Sequence, residues 1–404
     1  MRFRPNAHPP VNRSALRPSK YVFYRRRAFL AAIVITVVYG GYLGVTLVQA
    51  LTNPSYGVSM SARGAEWGRE HGLGSFVTWL EKAIYSPPKA GGSVSDHAFG
   101  AGSNTVHVPA SGHLPLPPTV VSPVTTPLPG EGVWHPVGRY SAKGIPAVYE
   151  AFVRPDAVHT SFIAGIAWMD TTLLKGQLYS GSFIPGGGHH FSHSAPIKNA
   201  DSTTLVAAFN AGFRMQDAQG GYYTDGTSIL PLRKNAASVV FYKSGVVTVA
   251  KWGRDATMTS DVVAVRQNLA LIVDDGHAVS GLNAADSTKW GKTLGGSYYV
   301  WRSGLGVTAD GALVYVGGPS LTIVNLADLL VRAGAVRGME MDINTDWVQF
   351  SVYHGALGKV LNGGDGISLL SAANGSPSNS QMNGPPSRYF TTWWNRDFIT
   401  MSLR

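Results

Sequence analysis

The sequence predicts an α+β fold: a mixed, mostly antiparallel β-sheet domain with flanking helices, preceded by a single N-terminal transmembrane helix. Three observations support this class. The chain has 404 residues, of which 44% are hydrophobic and 14% charged, as in a globular domain with a large core. Its 48 glycines and 24 prolines indicate many turns and therefore many strands. One apolar stretch near the N-terminus is long enough to cross a membrane.

The formal net charge of +10 is concentrated in a short tail. Residues 1–27 hold eight basic side chains and no acidic one, which leaves 25 basic and 23 acidic residues in the rest of the chain. A nucleic-acid-binding domain carries its basic patch on the folded part, so nucleic acid is not an expected partner. The chain has no cysteine, which excludes disulfides, thiolate metal sites and a cysteine nucleophile.

Residues 28–51 are predicted to form the transmembrane helix, because this uncharged stretch exceeds the roughly 20 residues that a span needs. Three arginines, Arg25–Arg27, directly precede it. The positive-inside rule then places residues 1–27 in the cytoplasm and the following domain outside the plasma membrane, as a single-pass protein. A buried core helix and a cleavable signal peptide are the alternatives. The length of the apolar stretch and the 27-residue leader argue against them.

Two segments connect this anchor with the domain. Residues 52–85 contain a predicted helix, Ser61–Tyr85, with several large apolar side chains. It is expected either to lie as an amphipathic juxtamembrane helix between lipid and water or to pack on the domain. Residues 86–130 are rich in proline, glycine and serine and nearly uncharged, which predicts an extended, semi-rigid linker.

The domain is expected to cover residues 131–404, where short apolar runs alternate with turn signals. Ser244-Gly245 and Ala309-Asp310-Gly311 lie between such runs, as in β-hairpins. Leu321–Ala333 has an apolar stripe at helical spacing and is followed by a glycine, so it predicts a helix. The stretch after it, Gly338–Phe350, alternates polar with apolar residues and predicts a strand.

That predicted strand carries the candidate catalytic residues. Glu340, Asp342, Asn344 and Asp346 are spaced by two and are expected to share one face of the strand. Three carboxylates together in a protein poor in acids indicate the floor of an active site. Asp342, Asn344 and Asp346 also have the D-x-N-x-D spacing of a calcium loop. The glycine and glutamate that complete an EF-hand are missing, so only an isolated calcium or magnesium site is left open.

Further segments supply candidate binding residues. Asn210 and Gly212 lie in VAAFNAGF, where small neighbours let a ligand approach, although a plain turn is the alternative. Tyr222 and Tyr223 in GGYYTDG are candidates for stacking on a sugar, or else flank a hairpin turn. His190 belongs to GGGHHFSH, which is interpreted as a mobile loop over the cleft.

Two arginines receive opposite interpretations. Arg302, which precedes GLGVTADG, is expected to bind a phosphate through paired N–H groups, whereas Arg266 is expected to be structural. The G-x-S-x-G, H-E-x-x-H and dinucleotide-binding motifs are absent from the sequence. Serine hydrolase, zinc protease and Rossmann-type functions therefore lose most of their support.

The order of four motifs resembles the phosphodiester glycosidase family. These motifs are VAAFNAGF, GGYYTDG, WRSGLGVTADGALVYV and AGAVRGMEMDIN, and the similarity covers about residues 195–352. Asn210 and Gly212 match the first turn of the family, Arg302 its hairpin arginine, and Asp342 the aspartate of its last motif. The chain has D-I-N-T-D where the family has D-G-G-G-S.

The resemblance implies an extracytoplasmic hydrolase that splits a sugar from a phosphodiester at the anomeric carbon. Together with the predicted membrane anchor, it leads us to expect a membrane-anchored enzyme that acts on a glycosyl phosphodiester of the cell envelope or of exopolysaccharide. Asp342 is then the candidate nucleophile or base, with Glu340 or Asp346 as its partner, and Arg302 neutralises the phosphate. Two alternatives stay open. One is a non-catalytic carbohydrate- or polymer-binding module on the same fold. The other is a structural envelope protein whose basic tail contacts anionic lipid or a cytoplasmic partner.

Overall fold

The computed structural model describes residues 20–404 with gaps. These gaps are 54–55, 57–58, 85–86, 96–97, 100–112, 183, 186–190, 284–285, 287–288, 292–298, 344, 370–384 and 392–395. The chain divides into two compact units, Met1–Asn53 and Pro54–Arg404.

The described part of the first unit is one helix, α1, Lys20–Thr52. It is long and apolar enough to cross a membrane, as predicted. It starts eight residues before the predicted boundary at residue 28, because lysine and arginine are good helix formers and continue the helix beyond its apolar part. At 1.5 Å per residue its length is about 50 Å, more than the hydrocarbon core of a bilayer requires.

The second unit begins with two helices where the sequence predicted one. These are α2, Met60–Glu70, and α3, Gly74–Ile84. The prediction of a continuous helix is wrong because Gly72 adopts a φ of +83°, which ends α2 and reverses the chain. Gly68 lets the helices approach closely, since a Cβ there would lie 3.1 Å from Val77. We call this pair the helical hairpin.

Two α-helices and eighteen strands follow in the described residues. The helices are α4, Asn199–Ser202, and α5, Ile323–Arg332. The first nine strands are β1 (His135–Tyr140), β2 (Pro146–Val153), β3 (Ala164–Met169), β4 (Leu174–Tyr179), β5 (Leu205–Asn210), β6 (Tyr222–Thr224), β7 (Thr227–Leu230), β8 (Ala237–Tyr242) and β9 (Val247–Lys251). The others are β10 (Val262–Gln267), β11 (Leu271–Asp274), β12 (His277–Ala278), β13 (Val300–Thr308), β14 (Leu313–Leu321), β15 (Ala335–Glu340), β16 (Phe350–Tyr353), β17 (Gly366–Ser368) and β18 (Phe398–Leu403).

These strands form three sheets. The largest has eight strands in the order β1-β2-β3-β14-β13-β15-β11-β12, and the two others have five, in the orders β7-β6-β10-β8-β9 and β17-β16-β5-β18-β4. Neighbouring strands pair in antiparallel fashion, for example Gly304 of β13 with Glu340 of β15. The predicted α+β class with mostly antiparallel sheets and flanking helices is confirmed.

The main core lies between the eight-stranded sheet and the two smaller sheets. Leu305 and Met339 of the large sheet share one buried cluster with Phe209 and Val239 of the smaller ones. The apolar stripe of α5 covers the opposite face of the large sheet, where Leu330 contacts three strand glycines. This packing fixes the strand ends that carry the site.

The described parts of the predicted linker pack on the domain. Val94 and Phe99 are buried in the main core, and Val120 is buried beside Trp134. The Nε1 of Trp134 donates to the carbonyl of Pro118 over 3.0 Å. The few apolar residues among the prolines and glycines therefore attach this segment to the sheets, which composition alone does not indicate.

Candidate active site

A small cavity of about 20 Å³ lies at the ends of β5 and β15 and just before β18. Its lining residues are Asn210, Gly212, Asp342, Trp347, Arg388, Tyr389, Arg396, Asp397 and Phe398. A larger cleft of about 820 Å³ adjoins it, and Asp342 and Arg396 line both. The helical hairpin forms one wall of this cleft, with Phe213, Arg214 and Ile343 also among its lining residues.

Asp342 is held in place by its neighbours. Its Oδ2 accepts a hydrogen bond from Nη1 of Arg396 over 3.1 Å, and its Oδ1 accepts one from the backbone N–H of Ile343 over 2.8 Å. Its backbone N–H donates to Oγ of Ser303, and its carbonyl accepts from the backbone N–H of Ser303. The carboxylate is thus fixed at the point where cavity and cleft meet.

Asn210 is positioned by the same serine. Its Oδ1 accepts from the hydroxyl of Tyr315 over 2.8 Å and from the backbone N–H of Gln349 over 3.2 Å, while its Nδ2 donates to Oγ of Ser303 over 3.1 Å. Asn210 and Asp342, which the sequence placed in two separate motifs, therefore lie together in one hydrogen-bonded network.

Gly212 is required by a close approach. A Cβ at this position would lie 3.2 Å from Cζ of Arg266 and 3.3 Å from Cγ of Asn268. Arg266 is fully buried, and its Nε donates to Oδ2 of Asp397 over 2.5 Å. Its guanidinium also donates to the carbonyl of Phe213. The contacts of Arg266 agree with the structural interpretation given to it above.

Two arginines flank an indole ring in the cavity. Cζ of Arg396 lies 3.9 Å from the ring centre of Trp347, and Cζ of Arg388 lies 5.5 Å from it. Burial lowers the pKa of Arg388 to about 9 and that of Arg396 to about 10. Both arginines are therefore still cationic at neutral pH, and the aromatic face stabilises them.

Asp397 adds a second carboxylate to the cavity. Burial raises its pKa, and the nearby guanidinium of Arg266 opposes that shift. Within the described part of the chain its Oδ1 has no hydrogen-bond partner. A buried carboxylate oxygen without a partner is costly, so a ligand hydroxyl in the cavity is well placed to satisfy it.

Sequence reasoning missed six of the nine lining residues of the cavity: Trp347, Arg388, Tyr389, Arg396, Asp397 and Phe398. Arg396 and Asp397 directly precede the buried strand β18, which pairs with β5 and thereby brings them next to Asn210. A charged pair directly before FITMSL, a short segment without charged residues, is the one local signal that could have indicated Arg396 and Asp397.

Arg302 and Glu340 form a buried ion pair, and neither lines the cavity or the cleft. The Nε of Arg302 also donates to the carbonyl of Leu321 over 3.0 Å. Burial raises the pKa of Glu340, although the guanidinium of Arg302 opposes the shift. The structure therefore brings Asn210, Gly212 and Asp342 together. Arg302 and Glu340, which were also predicted as site residues, instead pair with each other inside the fold.

The two tyrosines lie elsewhere. Tyr222 is fully buried, and its hydroxyl is 2.8 Å from Oγ of Ser180. Tyr223 packs against the cluster that contains Trp252 and Val265. Neither lines the cavity or the cleft, because β6 is a strand inside a five-stranded sheet and not a cleft-side loop.

The prediction of a strand over Gly338–Phe350 is wrong after Glu340. β15 ends at Glu340, and the chain turns after Asp342, whose own carboxylate accepts the next backbone N–H. Asp346 consequently lies in a turn and is half-buried. Its backbone carbonyl accepts a hydrogen bond from Nη2 of Arg388 over 2.7 Å. Asn344 and His190 lie outside the described residues.

A metal site stays a prediction. Among the residues that the structure describes, no group of three or more His, Asp or Glu side chains could hold a metal ion. Asn344 of the D-x-N-x-D spacing is not one of those residues, so the possible calcium or magnesium site is not tested.

The model of the phosphodiester glycosidase family matches residues 203–342 of the chain. The resemblance to this family is confirmed. The matched range contains Asn210, Gly212 and Arg302 and ends at Asp342, whereas Arg396 and Asp397 lie beyond it. No curated protein sequence matches the chain.

Three solved structures are similar to this chain at low identity. The first is the catalytic domain of zebrafish N-acetylglucosamine-1-phosphodiester α-N-acetylglucosaminidase, auto-inhibited by its propeptide. It has 12% identity and a TM-score of 0.38 over 67% of this chain and 88% of that one. A hypothetical protein from Synechocystis has 12% identity and a TM-score of 0.32, over 64% of this chain and 62% of that one. A putative exported protein from Burkholderia pseudomallei has 11% identity and a TM-score of 0.27, over 60% of this chain and 74% of that one.

Proposed function

We propose that this protein is a membrane-anchored extracytoplasmic hydrolase that releases a sugar from a glycosyl phosphodiester of cell-envelope or exopolysaccharide material. One observation carries the proposal. Asp342, at the last position of the family match, lies on the floor of an open cleft with the guanidinium of Arg396 bound to it. A carboxylate at the anomeric carbon and a cation for the phosphate are the two groups that this reaction needs.

The reaction breaks the bond between the anomeric carbon and the phosphate oxygen and adds water. Asp342 acts either as the nucleophile, forming a glycosyl ester that water then hydrolyses, or as the base that takes a proton from the attacking water. The leaving phosphate monoester is a stable anion, so a strong general acid is not needed at the departing oxygen.

The phosphate is assigned to Arg396 and not to Arg302. Arg396 lines both the cleft and the cavity and remains charged at neutral pH despite its burial, whereas Arg388 is already bound to Gln349 and to the carbonyl of Asp346. Arg302 is already occupied by Glu340 and by the carbonyl of Leu321. A hydroxyl of the sugar is assigned to Asp397, whose Oδ1 has no hydrogen-bond partner among the described residues, while Asn210 holds the network behind Asp342 in place.

The Asp342→Asn variant tests this proposal. The full-length protein in detergent micelles is incubated with methyl phosphodiesters of glucose 1-phosphate, galactose 1-phosphate and their N-acetylamino forms, and the released sugar is measured. We expect at least a 100-fold loss of kcat/KM, on the scale of a lost acid–base or nucleophilic group. The thermal midpoint should fall, because Arg396 loses its counter-charge, so the rates are compared at a temperature well below the midpoints of both proteins.

Asp346→Asn is the matched control, since Asp346 is four residues away and does not line the cavity. It should keep the wild-type rate. An Asp342→Asn protein with undiminished turnover would show that the assignment is wrong. Tight binding of these diesters by the wild type without any turnover, with and without added calcium or magnesium, would favour the binding-module alternative.

A further inference from the structure

One face of α3 is apolar and exposed. Phe76, Trp79 and Ile84 are 57%, 61% and 72% exposed, and Leu73 and Leu80 are exposed beside them. Their spacing places all five on one side of the helix. The rings of Phe76 and Trp79 stack with their centres 5.8 Å apart. A continuous apolar stripe of this kind on a protein surface indicates a contact with a partner or a membrane.

The opposite face of α3 belongs to the cleft. Gly74, Thr78 and Glu81 line it there. Glu81 is bound by Arg69 of α2, and Glu66 of α2 pairs with Arg214 on the other side of the cleft. The hairpin is therefore fastened to the domain by charged contacts and forms the cleft wall that carries the apolar stripe on its outer side.

The position of the hairpin in the chain identifies its partner. α2 begins at Met60, and α1, which is long and apolar enough to cross a membrane, ends at Thr52. The seven residues between them can span at most about 25 Å when fully extended. Tryptophan and phenylalanine on the apolar face of a short helix are typical of segments that lie in the lipid–water interface.

We propose that the apolar face of α3 docks on the lipid bilayer and that the cleft takes a substrate held in the same membrane, a sugar phosphodiester whose alcohol is a lipid. A helix is about 10 Å across, so docking places the cleft at the height of lipid phosphates. The choice of substrate rests on the proposed function, whereas the docking of α3 does not.

The docking is tested with a fluorescent label. The chain has no cysteine, so Ile84→Cys in the full-length protein provides a single site for an environment-sensitive nitrobenzoxadiazole label. The protein is placed in nanodiscs of phosphatidylcholine with or without bromine atoms on the acyl chains. We expect at least twofold quenching by the brominated lipid. The control is Val158→Cys, also exposed but outside the hairpin, which should not be quenched. Equal quenching at both sites would overturn the docking.

The substrate class is tested with the double variant Phe76→Ser/Trp79→Ser in nanodiscs. Two diesters of the same sugar phosphate are compared, one with methanol and one with hexadecanol. We expect about a tenfold loss of turnover on the hexadecyl diester and an unchanged rate on the methyl diester. An equal loss on both would overturn the inference, because the stripe would then only support the fold. If the wild type hydrolyses neither diester, the proposed function fails, while the label at residue 84 still decides whether α3 docks.

Discussion

Glu340 and Asp342 are two residues apart in the chain, and each forms an ion pair with an arginine. The two ion pairs differ in how far they are exposed to solvent. Glu340 pairs with Arg302, and their side chains are 0% and 2% exposed. Asp342 pairs with Arg396 over 3.1 Å, and their side chains are 3% and 13% exposed. The first pair is closed on all sides, whereas the second lies at the floor of a cleft.

This difference shows that residue type and spacing do not separate an ion pair enclosed in the fold from one that lines a cleft. Both acids follow the same alternation in the sequence, and both meet a guanidinium. In the closed pair Oε1 of Glu340 is bound by Nη1 of Arg302, and both side chains are buried, so this contact connects β15 with β13 away from solvent. In the open pair the carboxylate and the guanidinium remain within reach of a ligand, so the same chemistry becomes available for a reaction.

The largest effect is expected from breaking the closed pair. Arg302→Met leaves the carboxylate of Glu340 buried without a counter-charge, which should lower the free energy of unfolding by about 3–5 kcal/mol. Urea denaturation of the full-length protein measures it. The double variant Arg302→Met/Glu340→Leu should regain most of the loss, because no charge then remains buried. Exposed ion pairs contribute up to about 1 kcal/mol. If Arg302→Met lowered the free energy of unfolding by less than that, the pair would not be buried from solvent.

A smaller effect, and one on catalysis, is expected from the open pair. Arg396→Gln removes a charge-assisted hydrogen bond worth about 1.5–3 kcal/mol, so KM for the methyl diester should rise about 10- to 100-fold. The free energy of unfolding should fall by less than in Arg302→Met. The control is Arg254→Gln, which breaks the exposed pair with Asp274 and should leave KM unchanged. If Arg396→Gln destabilised the protein without altering KM, both pairs would be structural.

The smallest effect is the pH dependence of the closed pair. Burial raises the pKa of Glu340 in the folded state above its unfolded value of about 4.3. Its contribution to stability is therefore complete below that value and is lost as the pH rises through the folded pKa. The stability difference between the wild type and Glu340→Gln should shrink between pH 5 and pH 6 by at most about 1.4 kcal/mol. A difference that grows with pH would show that the ionised pair stabilises the fold.

Local patterns predicted the elements that depend on local physics. α5 follows its apolar stripe within two residues, and the β13–β14 hairpin follows its glycine turn. Asn210 and Asp342 could be proposed from motifs because each lies at the end of a buried strand. Arg396 could not, because it is far from Asp342 in the chain and meets it only through the pairing of β18 with β5. The burial of Tyr222 likewise depends on strands distant in sequence, so GGYYTDG alone could not reveal it.

The position of β18 has a consequence for synthesis. This strand lies between β5 and β4 in the sheet, although every other strand of the sheet precedes it in the chain. Arg396 and Asp397 stand immediately before it. A nascent chain that stops short of residue 396 leaves β5 and β4 without the strand that lies between them and lacks both side chains of the proposed site. This sheet and the proposed site are therefore completed together, once residues 396–403 have been synthesised and β18 has paired with β5 and β4.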